Sequence, residues 1–356
     1  MDDGGDSLPP RLRIEPPLFN SANPWATTLE HLRDLYRCPY TGAVTTRTAL
    51  LDQGFPHDES VHRFKFFEAG THRVVSGTGG EDGVGAGDAS LNTLGYSPIP
   101  LDGYLGFIRK IDEEEGKDVG GKGRGIKERK PFIVSVTGSP DEVAECYRRI
   151  VRCAGDVRMV LAMEVNLSCP NIPGKPPPAY EGEALRTYLR SVEEVVREMN
   201  GSSVPWGLKT PPYTHAGQFG MFIEALRDCA VPLRNGDGAV VPVGFVTATN
   251  TLGSCLLLES AGEGGLAPAL GVGGVAGAPL HPLALGNVAT LRRMLDAAPE
   301  TRHVAVLGIG GVADAAGYTR MRSVGAAAVG VGTALGIKGL GVFEEIEDGL
   351  GGVWEV

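Results

Sequence analysis

The sequence contains no run of about 18 apolar residues, so it offers no candidate for a membrane-spanning helix. Residues 1–6 are acidic and lack the basic region of a signal peptide and the arginine-rich face of a transit peptide. The six cysteines contain no CxxC pair, which argues against zinc ribbons, iron–sulfur clusters and a disulfide framework. We therefore expect a cytoplasmic protein with no metal and no membrane partner.

An excess of basic residues is also missing. Lysine and arginine number 33 against 43 acidic residues, giving a formal net charge of −10. A nucleic-acid-binding protein normally presents a basic face. The one basic run, at 122–130, lies among glycines and acidic residues and contains no aromatic residue. This composition indicates a solvated loop rather than a binding patch. No nucleic-acid partner is expected.

Glycine, in contrast, is abundant, with 52 residues in a chain of 356. The hydrophobic fraction of 42% and charged fraction of 21% are those of a globular protein. The glycine surplus must therefore lie in loops, where functional residues concentrate. We predict a single domain over 1–356 with flexible insertions near 76–89, 112–130 and 233–240, which fit neither a helix nor a strand.

Eight short apolar runs alternate with amphipathic segments. The runs lie at 18–20, 43–45, 132–136, 163–167, 206–209, 244–248, 304–307 and 328–331. Helical spacing occurs at 141–153, 185–199 and 288–295, and Ser139–Pro140 supplies an N-cap and first residue for the first of these. This order predicts an α/β fold, a (β/α)8 TIM barrel. A doubly wound sheet is the competing architecture.

The densest functional signal is the string at 166–176, which directly follows a predicted strand. Its start, Asn166-Leu167-Ser168-Cys169, would lie at the C-terminal rim of a barrel, where catalytic residues collect. Asn166 and Asn171 flank Cys169 with amide donors and acceptors. The alternative is a proline-rich structural turn with an incidental cysteine.

Lys209 ends another predicted buried strand, where an ammonium without a partner is unfavourable. An anion must lie nearby, and a cofactor that becomes anionic on reduction would serve. The alternative is an ion pair with a core acid such as Glu164.

Glycine clusters at 271–277, 308–311 and 330–332 lie near the end of the chain. The last two follow the seventh and eighth strands, whose loops often hold phosphate in barrels. The near-duplicates Asn92-Thr93-Leu94-Gly95 and Asn250-Thr251-Leu252-Gly253 suggest a neutral, amide-lined pocket. Such a pocket suits a planar ring with amide and imide groups.

Together these residues resemble the dihydroorotate dehydrogenases over roughly 17–350, specifically the soluble class 1A branch that uses fumarate. The string at 166–176 carries most of the likeness. Class 2 members have serine at the position of Cys169, and class 1B members need a partner subunit with FAD and an iron–sulfur cluster. The resemblance implies a barrel with FMN at its C-terminal mouth, oxidation of (S)-dihydroorotate to orotate in pyrimidine synthesis, fumarate as acceptor and a homodimer.

The resemblance also implies roles for individual residues. Cys169 is the expected catalytic base, which takes a proton from C5 of the substrate. The expected substrate-binding residues are Asn92, Asn166, Asn171 and Asn250. The expected cofactor-binding residues are Ser21, Ala22, Thr46, Asn166, Lys209, Thr251, Gly274, Gly310, Gly311, Gly332 and Thr333.

Some positions depart from the family pattern. Where the family has Thr-Lys-Ser, this sequence has Thr46 at the position of the lysine. Side chains alternate between the two faces of a strand, so we expect Arg47 to point to the opposite face from Thr46. The family's Asn-Ser-Met-Gly-Leu-Pro-Asn is here Asn92-Thr93-Leu94-Gly95-Tyr96-Ser97-Pro98, which loses the last asparagine. His281 replaces a lysine. Two alternatives follow: an FMN barrel acting on another dihydropyrimidine, or a flavin-binding protein with little turnover.

Overall fold

The computed structural model describes residues 8–75, 87–117, 129–169, 177–199, 203–233, 238–260 and 265–355. Within these ranges the strands are, in chain order, β1 (Leu18–Asn20), β2 (Val44–Thr45), β3 (Phe64–Phe67), β4 (Val74–Val75), β5 (Ala89–Asn92), β6 (Phe132–Val136), β7 (Leu161–Asn166), β8 (Trp206–Thr210), β9 (Val231–Pro232), β10 (Ala239–Val240), β11 (Phe245–Ala248), β12 (Leu252–Cys255), β13 (Leu258–Ser260), β14 (Leu266–Pro268), β15 (Gly273–Gly277), β16 (Ala305–Ile309) and β17 (Ala328–Val331).

The helices are α1 (Leu29–Arg37), α2 (Leu101–Lys117), α3 (Pro140–Asp156), α4 (Gly182–Glu198), α5 (Ala216–Asp228), α6 (His281–Asp296), α7 (Ala315–Ser323), α8 (Thr333–Lys338) and α9 (Gly341–Leu350). The predicted start of α3 is confirmed, because the Ser139 hydroxyl caps the helix, Glu142 completes a capping box and Pro140 is the first residue. Within the described ranges, no helix has the length and apolarity needed to cross a bilayer.

Eight strands form one parallel sheet in the order β1-β17-β16-β11-β8-β7-β6-β2. A parallel bridge between Phe19 and Ala43 links the two ends of this order. The eight strands correspond to the eight predicted apolar runs, and the predicted (β/α)8 barrel is confirmed. This bridge closes the sheet into a barrel, whereas the sheet of a doubly wound fold stays open.

Side-chain alternation along β7 separates the two apolar layers. Met163 and Val165 pack outward against the helices, and Ala162 joins a smaller cluster inside the barrel with Phe245 and Leu307. Since Asn166 shares the inward face of Ala162, the C-terminal end of the strand presents an amide to the barrel mouth. The polar site thus begins where the apolar interior ends.

A second sheet, which we call the mouth sheet, has the strand order β12-β15-β5-β3-β4 and is antiparallel. The sequence did not predict it. The predicted insertions also need correction at their edges, because β5 begins at Ala89, β10 covers 239–240 and α2 continues to Lys117. The remainder at 76–86, 118–128 and 234–237 lies outside the described residues.

The last turns of α2 are helical because their acidic side chains have partners. Asp112 accepts hydrogen bonds from Arg129 and Arg158, at 2.9 and 3.0 Å. Glu114 forms a two-point contact with Arg33 of α1. Composition alone had suggested a charged loop at 112–117, and these pairings explain why the segment is helical instead.

Candidate active site

A cavity opens at the C-terminal ends of the barrel strands, beneath the mouth sheet. Its space is about 1030 Å³, including the part open to solvent. The barrel contributes these lining residues: Ser21, Ala22, Asn23, Arg47, Thr48, Asn166, Cys169, Lys209, Thr249, Asn250, Thr251, Ile309, Gly310, Gly311, Gly332 and Thr333. The segments that surround the mouth contribute Pro24, Trp25, Phe64, Ser90, Asn92, Leu94, Gly95, Tyr96, Ala276, Gly277 and Leu280. Thus the structure brings most of the predicted site residues into one cavity.

Asn166 and Asn250 form a hydrogen-bonded group beside Cys169. The Asn250 amide nitrogen lies 3.3 Å from Asn166 Oδ1 and 2.9 Å from Ser168 Oγ. Asn166 in turn donates to Thr48 Oγ1, at 3.0 Å. These contacts hold two amides in fixed orientations around the segment that carries Cys169. Of the six cysteines, only Cys169 lines the described cavity.

The other two predicted asparagines have different outcomes. Asn92 ends β5 and donates to the carbonyl of Gly274 across the mouth sheet, at 3.1 Å, while it also lines the cavity. Asn171 lies outside the described residues. Its role remains a prediction.

Two cations face the cavity. Lys209 is 4% exposed and makes no ion pair with any described residue, so the alternative pairing with Glu164 is wrong. Glu164 instead accepts a hydrogen bond from Ser135. Arg47 also lacks a carboxylate partner among the described residues, and burial lowers its pKa. Since the described cavity wall contains no Asp or Glu, its charge is positive.

The expected orientations of Thr46 and Arg47 are wrong. The Thr46 hydroxyl accepts a hydrogen bond from the Ser135 amide and does not line the cavity, whereas Arg47 does. The backbone amide of Thr46 donates to Ile133 O, and the next amide that bonds to β6, that of Ala49, donates to Ser135 O. The chain therefore advances three residues, from 46 to 49, while β6 advances only two, from 133 to 135. This extra residue is a bulge, and it interrupts the alternation on which the prediction depended.

Glycines 310, 311 and 332 lie at the cavity as predicted, but Gly274 does not line it. Gly274 pairs with Asn92 in the mouth sheet, and Gly277 at the end of the same strand reaches the cavity instead. The backbones here are tightly packed. A Cβ atom on Gly311 would lie 2.5 Å from Gly277 O, and Gly311 has a φ of +69°.

Sequence reasoning missed several cavity residues, among them Tyr96, Phe64 and Ser90. Tyr96 was not predicted, although it follows the predicted site residue Asn92 by only four residues. Phe64 and Ser90 belong to the mouth sheet, whose short strands gave no periodic signal. Ser90 Oγ lies 2.9 Å from Thr333 Oγ1, which connects this sheet to the loop after β17.

The fold and the site define a barrel with a cysteine, fixed amides and two cations at the C-terminal mouth. A family profile described as Dihydroorotate dehydrogenase matches residues 83–353. The chain belongs to the dihydroorotate dehydrogenase family, as the resemblance at 166–176 predicted, and it is an oxidoreductase.

Relatives support this assignment. Dihydroorotate dehydrogenase (fumarate) of Trypanosoma cruzi is 33% identical over 73% of this chain and 72% of its own length. Dihydroorotate dehydrogenase A (fumarate) of Lactococcus lactis subsp. lactis is 26% identical over 93% of this chain and 88% of its own. The ligand-free crystal structure of DHODH from Eimeria tenella has a TM-score of 0.67 at 17% identity, covering 95% of this chain and 86% of that one. This last likeness concerns the fold alone.

Proposed function

We propose that this chain oxidises (S)-dihydroorotate to orotate in pyrimidine synthesis, with FMN as its cofactor and fumarate as the final acceptor. The observation that carries the proposal is the meeting of Cys169, Asn166 and Asn250 with two cations in a cavity whose described wall contains no acid. Dihydroorotate combines a carboxylate with ring amides. Arg47 suits the carboxylate, because a guanidinium presents a planar set of donors, and the asparagines suit the amides.

Cys169 is positioned to act as the base in this reaction. As a thiolate it would remove the proton from C5 of the substrate, so that the new S–H bond replaces the C–H bond that breaks. The amides of Asn166 and Asn250 would hold the ring so that this proton faces the sulfur. Neither amide competes with Cys169 for the proton, since neither is basic.

The cavity suits a flavin for two reasons. Lys209 is a buried ammonium without a described anionic partner, and Thr249 Oγ1 is buried without a described hydrogen-bond partner. FMN, when bound, would accept the hydride from the substrate. We propose that Lys209 and Thr251 contact its ring, and that Ser21, Ala22, Gly310, Gly311, Gly332 and Thr333 surround its phosphate end. Asn171 and Asn92 complete the proposed substrate contacts.

We also propose a homodimer located in the cytoplasm. Leu256, Leu258, Leu266 and Val272 lie on or near the β13–β14 hairpin and are exposed, Leu266 to 70%. An exposed apolar group of this kind is typical of an association surface. All six cysteines are thiols rather than disulfides, as a reducing compartment requires.

Anaerobic mixing of purified protein with dihydroorotate tests the proposed reaction. We expect a yellow protein whose flavin absorbance bleaches with dihydroorotate and returns when fumarate is added. Bleaching by dihydrouracil but not by dihydroorotate would overturn the substrate assignment. A yellow protein that neither compound bleaches would instead be a flavin-binding protein with little turnover.

A further inference from the structure

The loop that follows β16 lies between the first turn of α6 and the cavity. Gly310 and Gly311 of this loop line the cavity, whereas His281, the first residue of α6, is buried and does not line it. A Cβ atom on Gly311 would lie 2.7 Å from the Cβ of His281, and one on Gly310 would lie 2.4 Å from the Cβ of Ala284. The two glycines are therefore packed directly on the helix, with the cavity on their other side.

A hydrogen bond joins His281 to this loop. Nδ1 of His281 lies 2.7 Å from the carbonyl oxygen of Gly310. Arg320 of α7 donates from Nε to the other ring nitrogen, Nε2, at 3.0 Å. An arginine can only donate and a carbonyl can only accept, so Nε2 is an acceptor and Nδ1 carries the ring proton. The neutral tautomer of His281 with its proton on Nδ1 satisfies both contacts.

The bond from His281 determines which way the peptide between Gly310 and Gly311 faces. This peptide is trans, so its carbonyl and its N–H lie in one plane and point in opposite directions. Since the carbonyl points to His281, away from the cavity, the amide of Gly311 points toward the cavity. This amide donates to no residue that the structure describes. Both glycines have positive φ angles and no side chain to restrict the peptide, so the bond from His281 supplies the restraint.

Histidine is the residue type that this arrangement requires. The family pattern has lysine at the position of His281. A lysine ammonium could donate to the carbonyl of Gly310, but it could not accept a hydrogen bond from Arg320, because it has no acceptor. The connected hydrogen bonds from Arg320 through His281 to Gly310 therefore depend on the residue that this chain has here.

We propose that His281 is a positioning residue for the phosphate end of FMN. By holding the carbonyl of Gly310, it presents the amide of Gly311 to the phosphate as a hydrogen-bond donor. Arg320 keeps the proton of His281 on Nδ1, the atom that faces the carbonyl. A backbone amide suits this task, because a hydrogen bond to a charged phosphate oxygen is stronger than one to a neutral acceptor. The inference rests on the proposed function in one respect, the binding of FMN in this cavity.

The test compares FMN with riboflavin, which lacks the phosphate. Full-length protein is stripped of flavin, and quenching of flavin fluorescence measures both dissociation constants in the native chain and in His281→Leu. We expect the variant to bind FMN about 10- to 100-fold more weakly, the usual scale for a hydrogen bond to a charged group, and to bind riboflavin as the native chain does. An unchanged ratio of the two constants would overturn the proposal, because a general loosening of the cavity weakens both flavins.

His281→Asn is the rescue variant, because its side-chain amide can place a donor near the position of Nδ1. It should recover much of the preference for FMN. His303→Leu is the matched control, since Nε2 of His303 also contacts a carbonyl, that of Val243 at 3.1 Å, but at the opposite end of the barrel. Its ratio of constants should equal that of the native chain. An equal loss of FMN preference in His303→Leu and His281→Leu would overturn the proposal.

Arg320→Met keeps the proposal testable if His281→Leu does not fold, because Arg320 is exposed. It should lower the preference for FMN by a smaller factor, since the ring of His281 can still donate. An unchanged preference in both Arg320→Met and His281→Asn, with His281→Leu unfolded, is answered by phosphorus NMR of bound FMN. The resonance should differ between the native chain and Arg320→Met, and identical resonances would overturn the proposal.

Flavin reduction by dihydroorotate separates this proposal from the proposed function. If the native chain binds FMN but is not reduced, the proposed reaction fails, and the ratio of flavin affinities still decides the role of His281. If it binds neither flavin, the FMN assignment fails, and inorganic phosphate becomes the probe. Protection from thermal unfolding by phosphate in the native chain and not in His281→Leu would support the positioning role. Equal protection, or none in either protein, would overturn it.

Discussion

The Arg47 guanidinium donates a hydrogen bond to Nε2 of His57, 3.1 Å away. Because an arginine can only donate, Nε2 must be the acceptor, and the ring proton therefore lies on Nδ1, which donates to the carbonyl of Phe55 at 3.1 Å. One tautomer of a neutral imidazole thus satisfies both contacts. Protonation of His57 would place a second cation in contact with Arg47, which lines the cavity.

We predict that His57 titrates below its ordinary pKa of 6.5, because burial and then the Arg47 charge lower its pKa. Between the lowered pKa and 6.5, the unfolded chain binds more protons at His57 than the folded chain does. The stabilising contribution is therefore complete above pH 6.5 and is lost as the pH falls through the lowered value. NMR titration of the His57 ring measures the midpoint. Arg47→Gln should raise it only partly, since burial persists, and a native midpoint above 6.5 would contradict the prediction.

The second prediction concerns the charge of Arg47. Arg47→Gln should weaken orotate binding by about tenfold or more, because a charge-assisted hydrogen bond to a carboxylate is lost. Arg47→Lys should weaken it less, since the charge remains while the planar set of donors is lost. Titration of the oxidised flavin spectrum with orotate gives both affinities. Arg152→Gln, at an exposed arginine of α3, is the matched control and should bind as the native chain does.

Replacing the proposed base gives a third prediction. Cys169→Ala should slow flavin reduction by dihydroorotate about 10² to 10⁴-fold, the usual range for loss of a general base. The protein should remain yellow, because Cys169 is not among the proposed cofactor contacts. Stopped-flow absorbance measures the rate, with Cys255→Ala as the control. Reduction of Cys169→Ala at the native rate would remove this thiol from the mechanism.

The fourth prediction compares two glycines. Gly311→Ala should lower the unfolding temperature and the flavin content, because its left-handed backbone is unfavourable for alanine and its Cβ would meet Gly277 O at 2.5 Å. Gly271→Ala is the control, since a Cβ there would meet no atom within 4 Å. Thermal unfolding and the ratio of flavin to protein absorbance measure both effects. Equal losses in the two variants would show that the close packing at Gly311 is unimportant.

The fifth prediction tests the proposed homodimer. Analytical ultracentrifugation should find a species of about twice the chain mass of 37.4 kDa. Leu266→Glu should shift it toward the monomer, because a charge would be buried in the interface. Val353→Glu, at a residue of comparable exposure far along the chain, should leave the dimer intact. A native protein that sediments as a monomer at micromolar concentration would refute the proposal.

Strands that pair with distant parts of the chain are the part of the fold that the sequence did not predict. The eight barrel strands were predictable because each is a buried apolar run, and the eight runs repeat with helices between them. The mouth sheet was not predictable, because its strands are only two to five residues long and come from two distant stretches of the chain, 64–92 and 252–277. Gly273, Gly274 and Gly277 resembled a loop in the sequence, yet they form a strand because β5 lies alongside.

Local backbone irregularity explains the error at Thr46 and Arg47. Strand alternation assigns opposite faces correctly only while the ladder is regular, and the extra residue before Ala49 breaks it. Cys169, Asn166 and Asn250 were predictable as cavity residues because each follows or ends a regular strand. Tyr96 lies between a strand and a helix, where its direction depends on contacts that the sequence does not display.

The mouth sheet has a consequence for biosynthesis. Asn92 contacts Gly274, 182 residues further along the chain, and Ser90 contacts Thr333, 243 residues further. During translation, Ser90 and Asn92 therefore emerge from the ribosome long before the residues that they contact have been synthesised. The cavity walls can meet only when nearly the whole polypeptide has been translated. A cofactor would therefore bind at the last stage of folding and could not initiate it.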